Sequence, residues 1–271
     1  MKGPNNRSSV GGTPWYSEDA GKARTEGSLL AWSLAWIAAV AVVVMTGFLR
    51  RWGEVEYHLF SLACAATVTV GPIASGAVSR GGLASSYLLK LNVYCAILVF
   101  FGTYVGTHYF FDLMRMRYAF PAQLTFEAEL VGKSGGEVPA FMYPLTQAYF
   151  VTYFNALVVA ERGLRRLFGL GRAGRVVLVA VLSYAVAFAE TFFMATEFMS
   201  GLFWYEERGS MLLVGSFGYA IYFLVGLPLV RDLDERPGAP WPLGRVVIVA
   251  LAASMLIFFG LEAWAKVVGE L

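Results

Sequence analysis

LLAWSLAWIAAVAVVVMTGFL, residues 29–49, carries no charged side chain from end to end. Wound as an α-helix, an apolar run of about 20 residues matches the hydrocarbon thickness of a bilayer. Comparable runs recur at roughly 58–78, 88–111, 143–161, 176–200, 211–230 and 246–266, each near that spanning length. The sequence therefore predicts an all-α, polytopic membrane helix bundle of about seven transmembrane helices. The second and fourth runs are the weakest, broken by Gly71-Pro72 and by Thr146, Gln147 and Asn155, so six spans is the fallback.

The composition of the 271-residue chain fits: 58% hydrophobic, 15% charged and a mean hydropathy of +0.60, too apolar for an ordinary soluble domain. Residues 1–28 are mostly polar, which argues against a signal peptide and predicts a disordered cytoplasmic tail ahead of a transmembrane bundle over 29–271. Fourteen of the 21 Lys and Arg residues fall in the tail, at Arg80 and Lys90, in ERGLRRLFGLGRAGR (161–175) and in 231–245. These are alternate connections, so the N-terminus is assigned to the cytoplasm. A net charge of +2, with its cations flanking apolar runs, gives no basic stripe for nucleic acid. Cys64 and Cys95 fall in separate runs without a CxxC spacing and read as buried packing thiols.

The chain holds only two histidines, His58 and His108. That is too few for the imidazole-rich iron sites of membrane oxygenases and desaturases, and neither a glycine-rich phosphate loop nor a dinucleotide fingerprint is present. No metal and no cofactor are expected. A retinal Schiff base needs a lysine midway along the last span, whereas Lys266 lies near the end of its run and reads as an interfacial anchor. Chemistry by side chains alone remains, which favours proton transfer over redox.

Carboxylates inside apolar runs are then the informative residues, because an ionised side chain at the bilayer centre costs about 2.5–3.5 kcal/mol or more. LSYAVAFAETFFMATEF (182–198) holds two, Glu190 and Glu197, seven apart and so on one helix face. A carboxyl withdrawn from water favours its neutral form and can serve as a proton donor. A hydrogen bond between helices is the other role open to Glu190, and it is the favoured one for Glu197. At about 1.5 Å of rise per residue, His108, Glu190, Tyr219, Tyr222 and the connection WYEERGS (204–210) with Glu206 reach one level in the outer half of the membrane. Lys90 and Asn92 enter the third run about 25 Å from His108, and Lys90 also suits an interfacial anchor. Tyr109 and Tyr118 suit an aromatic belt.

THYFF (107–111) followed by YAFP (118–121), then LSY (182–184), Glu190-Thr191 and YAIYF (219–223), resemble in order and spacing the cycloeucalenol cycloisomerase family, cyclopropyl sterol isomerases best known from plants. The resemblance runs from about Glu56 to Arg245 and takes in Lys90, Asn92, LRRL (164–167), Tyr205-Glu206 and Asp234-Glu235. FEAELVGKSGGEV (126–138) is an insertion with no counterpart. What the resemblance implies is a cofactor-free isomerase of sterol biosynthesis, which opens a 9β,19-cyclopropane ring to leave a C19 methyl and a Δ8 double bond. On that implication Glu190 and His108 are the acid and base, with Glu206 a rival for either role. Tyr109, Tyr184, Tyr219 and Tyr222 are candidates to stabilise the cation, Tyr118 is a further substrate contact, and Lys90 or Asn92 would hold the sterol 3-hydroxyl. A sterol substrate and membrane lipids are the partners expected. The alternatives are a sterol Δ8-Δ7 double-bond isomerase and a non-catalytic sterol-binding or transport protein. Sixteen arginines against five lysines resemble a GC-rich bacterial gene, which would put the chain in the inner membrane; a eukaryotic chain would belong in the endoplasmic reticulum.

Overall fold

The computed structural model describes residues 15–78, 82–236 and 238–271. Each of the seven apolar runs becomes a helix: α1 Ala20–Met45, α2 Glu54–Thr69, α3 Tyr87–Leu113, α4 Met142–Leu167, α5 Arg172–Met194, α6 Arg208–Val230 and α7 Leu243–Val267. Two short strands, β1 Met116–Tyr118 and β2 Phe203–Tyr205, pair antiparallel at one end of the bundle. The protein is an all-α membrane bundle.

Five helices, α1, α3, α5, α6 and α7, are long and apolar enough to cross a membrane. The other two are the interrupted runs. Around Pro72 the run 58–78 divides into α2 and a single turn, Gly71–Ala74, because proline lacks the N–H that would continue the ladder. The fourth run is interrupted for a different reason. α4 occupies the centre of the bundle, packed by α1, α2, α3, α5 and α6, while α7 closes the outside of α3 and α6. Its polar side chains join helices: Thr152 bonds Ser33 and Trp36 of α1, Asn155 donates to the Glu26 carbonyl, and the Gln147 amide donates to Asn92.

α1 begins at Ala20, nine residues before the expected start. Asp19 caps it by accepting the Lys22 N–H at 2.8 Å. Residues 20–28, expected in the tail, are therefore helical, whereas residues 1–14 and Arg80 lie outside the described residues. The reason is charge pairing. Glu26 of α1, fully buried, accepts two bonds from the Arg162 guanidinium of α4 at 2.8 and 3.0 Å. Arg162 also grips Glu235, beyond α6, through two bonds of 2.7 Å, and Lys22 donates to Glu235 at 2.8 Å. Two cations and two carboxylates sum to zero, which makes their burial feasible.

α3 and α6 each contain one π-helical turn, Gly102–Gly106 and Met211–Gly215. Such turns recur at functional sites. Gly106 has no side chain to spare: a Cβ there would collide with the Tyr222 hydroxyl of α6.

Candidate active site

A cavity of about 110 Å³ lies where α3 and α5 end, α6 begins, and the β1–β2 ribbon closes over α4. Each element presents it with one face. Along the ribbon the two-residue period of a strand sends Met116 and Tyr118, and opposite them Tyr205 and Phe203, into the cavity. Arg117, between them, turns away and donates to Glu206 at 2.8 Å. α6 contributes Tyr219 and Tyr222, three apart on one helix face, α4 contributes Tyr149 and Phe150, and α3 contributes Thr103, Thr107 and Phe110.

From α5 comes Glu190, the single carboxylate among the residues that line this cavity, with no histidine, lysine or arginine beside it. The Tyr219 hydroxyl donates to its Oε2, and the Tyr153 hydroxyl bonds the same carboxyl. Tyr118, Tyr149 and Tyr205 line the same cavity. Half-buried overall, Glu190 also lines a second cavity, between α1 and α5. The Tyr222 hydroxyl is different in kind: it is buried and has no protein partner. A buried orphan of this sort calls for an explanation, and its position in the wall of the cavity suits a ligand hydroxyl.

Of the expected site residues, the fold brings Glu190, Tyr118, Tyr219 and Tyr222 together. His108 does not line their cavity. It is buried beneath Gly132 of the 126–138 insertion and lines a separate cavity with Tyr109, Asp112, Lys133 and Glu262. Tyr109 donates to Glu262 at 2.6 Å. Glu206 stays with Arg117 on the ribbon's outer side, and the Tyr184 hydroxyl donates to the Leu213 carbonyl at 3.2 Å, outside the cavity. Lys90 and Asn92 sit toward the far end of the bundle. Lys90 pairs with Asp234 at 2.7 Å, while the Asn92 amide is spent on the Val68 and Leu88 carbonyls. Glu197 does not share a face with Glu190, because α5 stops at Met194 and Glu197 is exposed on the turn that follows.

The sequence alone gives Tyr149 and Tyr153 no place in the site, and it puts Tyr205 in the adjoining connection without a role; all three stand beside Glu190. Tyr149 and Tyr153 are legible in QAYFVTYF (147–154), where hydroxyls four apart fall on one helix face.

The chain is similar to the protein named cycloeucalenol cycloisomerase of Arabidopsis thaliana, with 27% identity over 265 residues, covering 95% of this chain and 90% of that one. The similarity thus extends beyond the motif-bearing stretch between Glu56 and Arg245. No family model and no solved structure matches the chain.

Proposed function

We propose that this chain, similar over 95% of its length to the cycloeucalenol cycloisomerase of Arabidopsis thaliana, opens the 9β,19-cyclopropane ring of a cyclopropyl sterol, of the cycloeucalenol or cycloartenol type, to a Δ8 sterol. The observation that carries this reading is the isolation of Glu190 as the one carboxyl in a cavity walled by tyrosine and phenylalanine rings.

The reaction needs one proton delivered and one removed. Glu190 gives its proton to C19; the C9–C19 bond breaks, its electron pair forms the new C19–H bond, and positive charge is left at C9. Ring faces attract a cation through their quadrupole, and Phe110, Tyr118, Tyr205 and Tyr219 supply such faces without reorganising. The Glu190 carboxylate then accepts the C8 hydrogen as a proton, and the C8–H electrons become the C8–C9 double bond. Atoms and charge balance, and Glu190 ends protonated as it began. Tyr219, donating to Oε2, stabilises the carboxylate between the two steps.

In this scheme Glu190 also fills the base role expected of His108. A His108→Gln variant should keep at least about half of wild-type turnover, since a rate loss smaller than twofold is about 0.4 kcal/mol and too small for a general base. A loss as large as that of a Glu190 variant would return the role to His108.

The sterol 3-hydroxyl is assigned to Tyr222 rather than to Lys90 or Asn92, whose polar atoms are engaged elsewhere. Tyr222→Phe should raise KM by about 2- to 12-fold, the worth of one hydrogen bond of about 0.5–1.5 kcal/mol, with kcat nearly unchanged. An unaltered KM would remove Tyr222 from substrate recognition. The orientation with the N-terminus in the cytoplasm rests on the Lys and Arg bias between helices.

The reaction itself is tested by incubating purified protein with cycloeucalenol and with cycloartenol in deuterated water, without added cofactor, followed by mass spectrometry. A Δ8 product carrying deuterium at C19 is expected. Both sterols returned unchanged by folded protein would overturn the assignment, and turnover of Δ8 sterols instead would move it to double-bond migration.

A further inference from the structure

The second cavity faced by Glu190 has no part in the acid–base scheme. It is a groove of about 580 Å³ with sides formed by Trp36, Val40 and Val44 of α1 and by Val186, Ala189 and Phe193 of α5. Tyr149 and Tyr153 of α4 also line it. α1 and α5 both stand on α4 yet barely touch each other, so the gap between them is left open along the side of the bundle. Ile37, Phe193 and Phe198 along it are exposed, as side chains in contact with lipid would be.

Size and polarity divide the two chambers. Sites for molecules of drug size occupy about 300–1,000 Å³; the inner cavity falls well short of that, and the groove lies within it. The inner cavity holds Thr103, Thr107, Thr146 and the unpartnered Tyr222, whereas the groove is apolar apart from Thr196, Tyr153 and the shared residues near Glu190. Tyr149, Glu190 and Met194 form the wall common to both. The Tyr149 hydroxyl meets the Met194 sulfur at 3.3 Å across that wall, and methionine is an unbranched, flexible side chain that adapts to what packs against it.

We infer that the groove between α1 and α5 is the substrate's lateral entrance from the bilayer and the seat of its aliphatic side chain, the hydroxylated end passing Met194 into the Glu190 cavity. The identity of the occupant rests on the sterol-isomerase reading. An amphiphile with one small polar end and a long apolar one matches both chambers in this direction and neither in the reverse.

The test uses full-length protein in lipid nanodiscs and a cyclopropyl sterol with a diazirine at the end of its side chain. Photolabelling mapped by mass spectrometry should fall on residues 37–45 and 186–199. Ala41→Trp and Ala189→Trp, which fill the groove, should each lower labelling and turnover at least about tenfold, a barrier change of about 1.4 kcal/mol. Labelling elsewhere, absence of labelling, or folded tryptophan variants with unchanged labelling would overturn the groove. Because the label is read on the wild-type protein, misfolding of a variant leaves the test intact. Groove labelling without ring opening would uphold the entrance and refute the reaction; ring opening with labelling elsewhere would do the opposite.

Discussion

Glu190→Gln is expected to lower turnover by about a hundred- to ten-thousand-fold, the usual contribution of a positioned acid or base, while the protein folds and binds sterol as before. The amide keeps the shape of the side chain and can still accept from Tyr219, but it has no proton of the required acidity. Because one carboxyl serves both steps, the loss should fall on kcat. Product formation by mass spectrometry, on variant and wild type matched for thermal stability, reads the effect directly, and wild-type turnover by the variant would end the role assigned to Glu190. The single-carboxyl cycle leaves a second signature. The proton removed from C8 in one turnover is the one delivered to C19 in the next unless it first exchanges with water. A substrate deuterated at C8 and converted in ordinary water should therefore pass part of its label to the C19 methyl of later product molecules.

Arg162→Leu is expected to destabilise the protein by about 3–5 kcal/mol, the usual result of removing one partner from a buried ion pair. Glu26, fully buried, would lose both of its guanidinium bonds and Glu235 two more. Leucine fills part of the space, so the effect is electrostatic rather than a cavity. A fall in unfolding temperature in detergent measures it, and an unchanged value would show that the network contributes nothing. The same cluster makes stability depend on pH. Burial works to raise the Glu235 carboxyl, but Arg162 and Lys22 outweigh it and hold the group below the usual glutamate range. A carboxyl depressed on folding contributes stability that is complete above its unfolded value and is lost as pH falls through the lower, folded one. Wild-type protein should therefore lose stability on acidification below that range.

The helices were legible because a bilayer imposes a length, and every apolar run of that length became one. α4 reads as a weak span because a helix surrounded by others has no need to be apolar, and Thr152 and Asn155 are the connections that central placement permits. For the site residues, helix rise groups side chains by expected depth and leaves their direction open. Helix rise brings His108, Glu190 and Tyr219 to one level, yet it carries no information on which side of α3 the imidazole leaves. Glu197 was misplaced because spacing seven apart implies a shared face only while the helix continues. The ion network was hidden by its own sequence context. Arg162 stands in a basic stretch that reads as an aqueous connection, and its partners lie 136 and 73 residues away.

The π-turn at Gly102–Gly106 separates two properties of α3 that a regular helix ties together. Bonding five residues back instead of four takes up one extra residue, and at 3.6 residues per turn that residue is worth about 100° of azimuth for only about 1.5 Å of advance. Below the turn Val99 faces the cavity; above it Thr107 and Phe110 do. The same sequence wound as a regular α-helix through this point would hold the segment Thr107–Leu113 at nearly the same depth but turned by about a quarter of a revolution. The reading frame of the helix, more than the identity of any one side chain, thus decides whether Phe110 or its neighbours line the cavity that holds Glu190.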